Sequence, residues 1–154
     1  MYEDALGVHR VDALSLSVLF GDIEDETMTF ALWSIFLAAI LPIVWAGMAK
    51  TGAKGYENAR PRVFMNQLTG WHQRADWAQA NSYEVFPPFA AGVIIAQMLG
   101  ANQLLVDALA GLFLLARILY GVFYIKDMHM PRSLSWLTGL LCTLGFFVAA
   151  TWAT

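Results

Sequence analysis

The chain has 154 residues, of which 58% are hydrophobic and 14% are charged, and its formal net charge is −3. A soluble domain this short must cover most of its surface with polar groups, so this composition is typical of a chain solvated by lipid. The small negative charge gives no reason to expect nucleic acid as a partner. Cys142 is the single cysteine and the three histidines are scattered, so we expect neither a disulfide framework nor a metal site.

Residues 1–27 form an acidic N-terminal extension, with seven Asp or Glu residues against the single Arg10. The segment begins with acids, and its apolar run at residues 13–20 is short and broken by serines, so it is a poor signal peptide. We expect either an external, disordered tail or an over-called start codon. In the second case a protein begun at Met28 should fold and function equally.

Residues 28–154 contain four stretches long enough to cross a bilayer, for which a helix needs about 20 apolar residues. Residues 28–49 and 133–154 carry no charge. Residues 77–100 are interrupted by Glu84, and residues 104–125 by Asp107 and Arg117, and the two stretches join through a short connection that favours a helical hairpin. The sequence therefore predicts an all-α membrane protein, a four-transmembrane-helix bundle. Tryptophans near the ends of these stretches, including Trp45, are expected at the membrane interface.

Orientation is predicted from the basic residues between the spans. Residues 50–76 hold five of them and the third connection holds two, so both connections should face the cytoplasm. Both termini then lie outside, and the chain is expected in a membrane such as the bacterial inner membrane. The basic residues are Lys50, Lys54, Arg60, Arg62, Arg74, Lys126 and Arg132.

Chemistry in a membrane protein is best sought where polar groups are costly, because a charge at membrane depth must be paired or hydrated. Glu84 and Arg117 are such groups. Polar residues recur at helical spacing around both, which places each set on one helix face. The sets are Arg74, Trp77, Asn81, Glu84 and Pro88 in the second span, and Arg117, Tyr120 and Tyr124 in the third.

Two interpretations of these stripes remain open. In the first, Glu84 and Arg117 neutralise each other and hold the helices together. In the second, the stripes face each other across a crevice open to the cytoplasm and bind a polar, partly anionic ligand. Arg132, Arg74 and Lys50 would then supply positive charge to ligand carboxylates.

The sequences RADWAQANSYEVFPPF (residues 74–89), RILYGVFY (residues 117–124) and Arg132-Ser133 resemble the membrane-associated proteins in eicosanoid and glutathione metabolism, the MAPEG family. This family includes microsomal glutathione transferases and the leukotriene and prostaglandin E synthases. The opening MTFALWSIFLAAILPIVWAGMAK is similar to the small bacterial branch of the family. The resemblance extends over residues 28–154. It includes the order and spacing of these motifs and the positions of the spans.

The resemblance implies a homotrimer that binds glutathione as thiol co-substrate between the second and third helices and a neighbouring subunit. Arg132 matches the arginine that activates the thiol, and Ser133 matches a residue near the sulfur. The remaining positions that match the family's binding residues are Gln79, Asn81, Glu84, Arg117, Tyr120 and Tyr124, and Arg74 lies one turn before a further one. Lys50 is a binding candidate only through its predicted place at the same membrane face. Trp77 and Ala80 depart from the pattern, because some members carry arginines there, so we expect the charged contacts to be weaker or differently built.

The resemblance thus implies a glutathione-dependent transferase or peroxidase that acts on hydrophobic electrophiles arriving from the bilayer. A guanidinium at Arg132 would favour the thiolate, which is the nucleophilic form. The alternative is a non-catalytic lipid-binding or scaffold protein of the same fold, since the family includes such a member. An ion carrier built on Glu84 and Arg117 would need a polar path to the outer face, and the outer halves of the spans offer little to build one.

Overall fold

The computed structural model describes residues 28–152, and every element of regular secondary structure in this range is a helix. The acidic extension, and with it the prediction for residues 1–27, lies outside this range. The helices are α1 (Phe30–Lys50), α2 (Pro61–Met65), α3 (Gly70–Met98), α4 (Gln103–Ile125) and α5 (His129–Thr151).

Two of the long helices, α1 and α4, begin at polar side-chain caps. The Thr29 hydroxyl accepts a hydrogen bond from the backbone of Leu32, and the Asn102 side chain accepts one from the backbone of Leu105. Such caps satisfy amide groups that the first turn of a helix leaves free. Pro42, Pro87 and Pro88 lie inside α1 and α3, each of which continues through its prolines as one helix.

Helix α3 begins at Gly70, well before the predicted start of the second span at Trp77. Its extra turns are polar, and they contact the ends of other helices. His72 Nδ1 lies 3.0 Å from the Ala49 carbonyl, and Arg74 Nε donates to the Ile125 carbonyl at 3.0 Å. The polar start of α3 is therefore held by carbonyls at the ends of α1 and α4.

Contacts at the two ends of the bundle establish how the helices run. At one end the start of α3 meets the ends of α1 and α4. At the other end, Gln97 donates to the Thr29 hydroxyl at 3.0 Å, and Asp107 accepts from the Ala31 amide at 2.8 Å. Both basic connections consequently lie at the first end, called here the basic end.

Aromatic and small residues form the centre of the bundle. The rings of Phe89 and Phe113 stack with centroids 3.7 Å apart, and Phe146 meets Phe89 edge to face. Trp45, which was expected at the membrane interface, is only 4% exposed, so its ring packs inside the bundle and does not face the surrounding solvent. Its indole packs where Gly121 leaves room, since a Cβ atom on Gly121 would lie 2.2 Å from the ring.

Helices α1, α4 and α5 are each long and apolar enough to cross a membrane. Helix α3 is the longest, with 29 residues, but lies outside that set. Its first half holds the charged residues Arg74, Asp76 and Glu84, which lowers its hydropathy. The most polar of the long helices is therefore the one that carries more of the predicted site residues than any other helix.

Candidate functional site

A crevice of about 360 Å³ opens between α3 and α4. It is called here the polar crevice. It brings together four of the predicted binding residues with the two positions that depart from the family pattern. Its lining is Trp77, Ala80, Asn81, Glu84, Tyr120 and Tyr124. The stripes expected on the second and third spans thus face each other.

A hydrogen-bonded chain links the two helices behind this crevice. Arg117 Nη2 donates to Asn81 Oδ1 at 2.8 Å, and Asn81 Nδ2 donates to Glu84 Oε2 at 2.9 Å. The Arg117 guanidinium carbon also lies 4.3 Å from the centre of the Tyr120 ring. Arg117 is 2% exposed, whereas Glu84 is exposed, so the arginine joins the helices and the carboxylate faces the crevice.

Arg132 lies in a second crevice of about 220 Å³, called here the Arg132 crevice. Its guanidinium carbon is 4.5 Å from the centre of the Tyr124 ring. The residues lining it are Tyr120, Tyr124, Arg132, Ser133 and Trp136. Because Tyr120 and Tyr124 line both crevices, the Arg132 crevice adjoins the polar crevice.

An apolar cavity of about 230 Å³ lies deeper, between α3, α4 and α5. It shares Glu84 with the polar crevice and Trp136 with the Arg132 crevice. Its lining is Glu84, Val85, Pro88, Phe113, Arg117, Trp136, Gly139, Leu140, Thr143, Leu144 and Phe147. The sequence analysis had identified Arg132 and Ser133 near the start of α5 but none of the α5 residues of this cavity; the spacing of Gly139 and Thr143, which places two small residues on one face, was the available signal.

Three predicted binding residues lie apart from these cavities. Arg74 is hydrogen-bonded to the Ile125 carbonyl and lies 3.7 Å from the carboxylate of Asp127. The Lys50 ammonium lies 5.2 Å from the centre of the Tyr56 ring. Gln79 is partly buried on α3 and lines none of the three cavities described above.

The polar groups at the opposite end of the bundle form a structural network. Asp107 accepts from the Ala31 amide and from Gln103, which in turn accepts from Gln97. A carboxylate beside the first amides of α1 is favourable, because that helix end carries partial positive charge. Asp107 therefore stabilises the start of α1 and is far from the crevices.

No group of three or more His, Cys, Asp or Glu side chains that could hold a metal ion occurs within residues 28–152. Cys142 is buried and free. The polar groups in the crevices are an amide, a carboxylate, phenols and a guanidinium, which can bind and orient a polar organic ligand.

Long apolar helices with a polar crevice between them define the class of this chain as an all-helical integral membrane protein. The model of the MAPEG family matches residues 30–152, so the chain belongs to that family. The predicted resemblance is thereby confirmed at the level of the family. A comparison with curated proteins finds no match.

Proposed function

We propose that this chain is a membrane-bound glutathione-dependent transferase or peroxidase that activates the thiol for attack on hydrophobic electrophiles. The observation that carries the proposal is that the two crevices share two of their lining residues. Asn81 and Glu84 line the polar crevice, Arg132 and Ser133 line the other, and Tyr120 and Tyr124 line both. A peptide held at one end could thus present its sulfur to a guanidinium at the other.

Arg132 is proposed to stabilise the thiolate by charge and by direct hydrogen bonding. A free thiol is mostly protonated at neutral pH, and a neighbouring cation lowers its pKa. Arginine keeps its own proton at any accessible pH, so the thiol proton leaves to water. The thiolate sulfur then forms a bond to the electrophilic carbon, and the leaving group departs with the electron pair of the broken bond.

The apolar cavity supports the hydrophobic half of the reaction. It shares Trp136 with the Arg132 crevice, and most of its wall is hydrocarbon. An apolar molecule that is already concentrated in the bilayer would enter such a space at little cost in free energy. The proposed electrophile is therefore lipid-soluble and approaches the thiolate from the membrane side.

The proposed arrangement in the membrane has four spans, including α3, and places the site at the cytoplasmic side. Its support is that α3 packs along the three apolar helices and that both basic connections meet at the basic end. Both termini would then be external and the membrane would be a bacterial inner membrane. The proposed assembly is a homotrimer, in which Lys50 and Gln79, remote from the crevices of their own subunit, could reach the ligand of a neighbour.

The second candidate is a non-catalytic lipid-binding or scaffold protein. The observation that favours it is the apolar cavity, which could hold an acyl chain without any thiol. Trp77 favours it too, because an indole stands where a charged ligand contact was expected from the family resemblance.

The deciding experiment compares wild type with Arg132→Ala in glutathione conjugation to a generic aromatic electrophile, using detergent-purified protein at equal folded concentration. We expect the rate to fall by about ten-fold or more, which corresponds to about 1.4 kcal/mol of transition-state stabilisation. Lys126→Ala, which removes an exposed cation from the turn just before α5, should leave the rate unchanged. Wild type no faster than buffer, with no glutathione binding in calorimetry, would favour the lipid-binding candidate.

A further inference from the structure

The turn between α4 and α5 is closed by the two backbone hydrogen bonds of a Schellman motif. The Met128 amide donates to the Phe123 carbonyl at 2.9 Å, and the Asp127 amide donates to the Tyr124 carbonyl at 3.1 Å. In this motif one residue adopts the left-handed conformation, and that residue is usually glycine. Here it is Asp127, with a φ of 61°. A residue with a side chain is strained at positive φ, so this turn is less stable by itself than one built on glycine.

Arg74 of α3 contacts this turn from outside. Neither bond of the motif uses the carbonyl of Ile125, the last residue of α4, and Arg74 Nε donates to that carbonyl at 3.0 Å. Carbonyls in the last turn of a helix lack partners within the helix, and a charged donor binds them more strongly than a neutral one. Arg74 Nη1 also lies 3.7 Å from the Asp127 carboxylate. The Asp127 side chain is 73% exposed, so water screens this ion pair and the carbonyl bond is the main contact.

The same turn separates two residues that line the Arg132 crevice. Tyr124 lies just before the turn, and Arg132 lies in the first turn of α5, where its amide donates to the Met128 carbonyl at 3.2 Å. The Arg132 guanidinium carbon is 4.5 Å from the centre of the Tyr124 ring. A change in the angle of the turn would therefore move the guanidinium relative to the wall of its own crevice.

We propose that Arg74 is a positioning residue, which holds the turn between α4 and α5 and thereby places the Arg132 guanidinium beside Tyr124 for contact with the thiol. The inference rests on the proposed function, because that function assigns the sulfur to Arg132. It gives Arg74 a role different from the binding of a ligand carboxylate that was expected from the sequence. All of the contacts that support it lie within one chain.

Positioning and ligand binding predict different effects of Arg74→Met, which removes the donors and keeps an unbranched side chain. For positioning, we expect kcat for conjugation to fall by about ten-fold or more, with less of the bound glutathione present as thiolate in its ultraviolet absorbance. S-methylglutathione keeps both carboxylates and has no thiol to ionise, so its Kd in calorimetry should change by less than about three-fold. Arg62→Met makes the same change at an exposed cation of α2 and should leave all three quantities unchanged.

A second substitution in the turn separates the two roles further. Glycine adopts positive φ without strain, so adding Asp127→Gly to Arg74→Met should restore kcat to within about three-fold of wild type. A lost contact between Arg74 and a ligand could not be restored by glycine at that position. The inference is overturned if Asp127→Gly leaves the loss undiminished, or if Arg74→Met weakens the binding of S-methylglutathione by about ten-fold.

Hydrogen exchange measures the hold on the turn without any ligand. In the full-length chain in detergent, the amides of Asp127, Met128 and Arg132 should exchange faster by about ten-fold or more in Arg74→Met, and the added Asp127→Gly should reverse this. If the wild type binds no glutathione, the proposed function fails, and the role of Arg74 in conjugation fails with it. If conjugation depends on Arg132 but Arg74→Met reacts and exchanges like wild type, only the inference is overturned.

Discussion

Arg117 is the one charged side chain among residues 28–152 that is buried, with 2% of its surface exposed. One end of its guanidinium donates to Asn81, one face lies near the Tyr120 ring, and its Nε has no hydrogen-bond partner. Removing a charge from water carries a large desolvation free energy, and the few partners of Arg117 offset only part of it. The stability of this region should therefore depend strongly on Asn81.

We predict that Asn81→Ala destabilises the protein more than Arg117→Met does. The first change leaves a buried charge with fewer partners, which should cost about 2 to 4 kcal/mol. The second removes the charge and keeps an unbranched apolar chain of similar length, so it should change the stability by less than about 1 kcal/mol. Thermal unfolding in detergent checks the order, with Gln79→Ala as a control on the same helix. A larger loss for Arg117→Met would mean that the charge itself stabilises the fold.

Arg74 and Glu84 were predicted on the same face of one helix, but their side chains have different contacts. Both lie on α3, but Arg74 binds the Ile125 carbonyl near the turn between α4 and α5, whereas Glu84 faces the polar crevice. That turn includes Asp127, which adopts a positive φ of 61° and lies near the Arg74 guanidinium. The helix that begins just after this turn carries Arg132, so the contacts of Arg74 help to fix where the thiol-activating candidate lies.

The packing of α1 against α4 depends on one close approach between elements. The Trp45 indole on α1 fills the space beside Gly121 on α4, and three of its atoms would lie within 2.7 Å of an added Cβ. Small residues at helix interfaces permit such approaches in membrane proteins. This contact lies one residue from Tyr120, so it positions the wall of both crevices.

We predict that Gly121→Ala destabilises the bundle by about 1 to 3 kcal/mol, since the indole must move or the helices must separate. Adding Trp45→Leu should recover part of the loss, because the smaller side chain removes the clash. Thermal unfolding in detergent measures both effects. Gly47→Ala is the matched control, because nothing lies within 4 Å of a Cβ there, and it should be neutral or slightly stabilising. Equal effects of the two alanine substitutions would contradict the steric explanation.

At the scale of the whole molecule, the two ends of the bundle differ in charge. The connections at the basic end carry lysines and arginines, while the short connection at residues 99–102 at the other end has no charge. Basic loops are retained on the cytoplasmic side during insertion. The proposed topology and the cytoplasmic opening of the site both depend on this difference.

We predict opposite labelling of the two ends by a membrane-impermeant maleimide. In a Cys142→Ala background, a Leu104→Cys variant should react in intact cells, because this exposed position lies in the first turn of α4, at the end of the bundle that the proposed topology places outside. A Lys54→Cys variant should react only after the membrane has been made permeable. The reverse pattern would place the crevices on the outer side and would contradict the proposed topology.

Much of the fold was predictable because each span must satisfy its own backbone hydrogen bonds in lipid. The length and hydropathy of a segment therefore indicate directly whether it forms a membrane-spanning helix. This reasoning located α1, α4 and α5 well, and the hairpin between α3 and α4 followed from the short connection. It placed the start of α3 too late and missed the short helix α2. Those polar segments are ordered by contacts with other elements, for example Phe64 of α2 packing against Ala49 and Ala75.

The candidate site was predictable where helical periodicity places residues on one face. Asn81 and Glu84 share a face of α3, and Tyr120 and Tyr124 share a face of α4, as the spacing predicted. Periodicity carries no information about which neighbour a side chain will reach. For that reason it could not separate Arg74, which contacts a carbonyl, from Glu84, and could not identify Trp136 as a shared wall of two cavities.

The sequence alone thus determined that the chain is a helical membrane protein and which helix faces carry polar groups, because these features depend on composition and on the regular geometry of single helices. Only the tertiary structure decided that Asn81 bridges Arg117 and Glu84, that Trp45 is buried against Gly121, and that the polar crevice is lined by rings and a carboxylate. Those features depend on the relative rotation and separation of neighbouring helices. Side-chain packing sets these quantities, and no single helix encodes them.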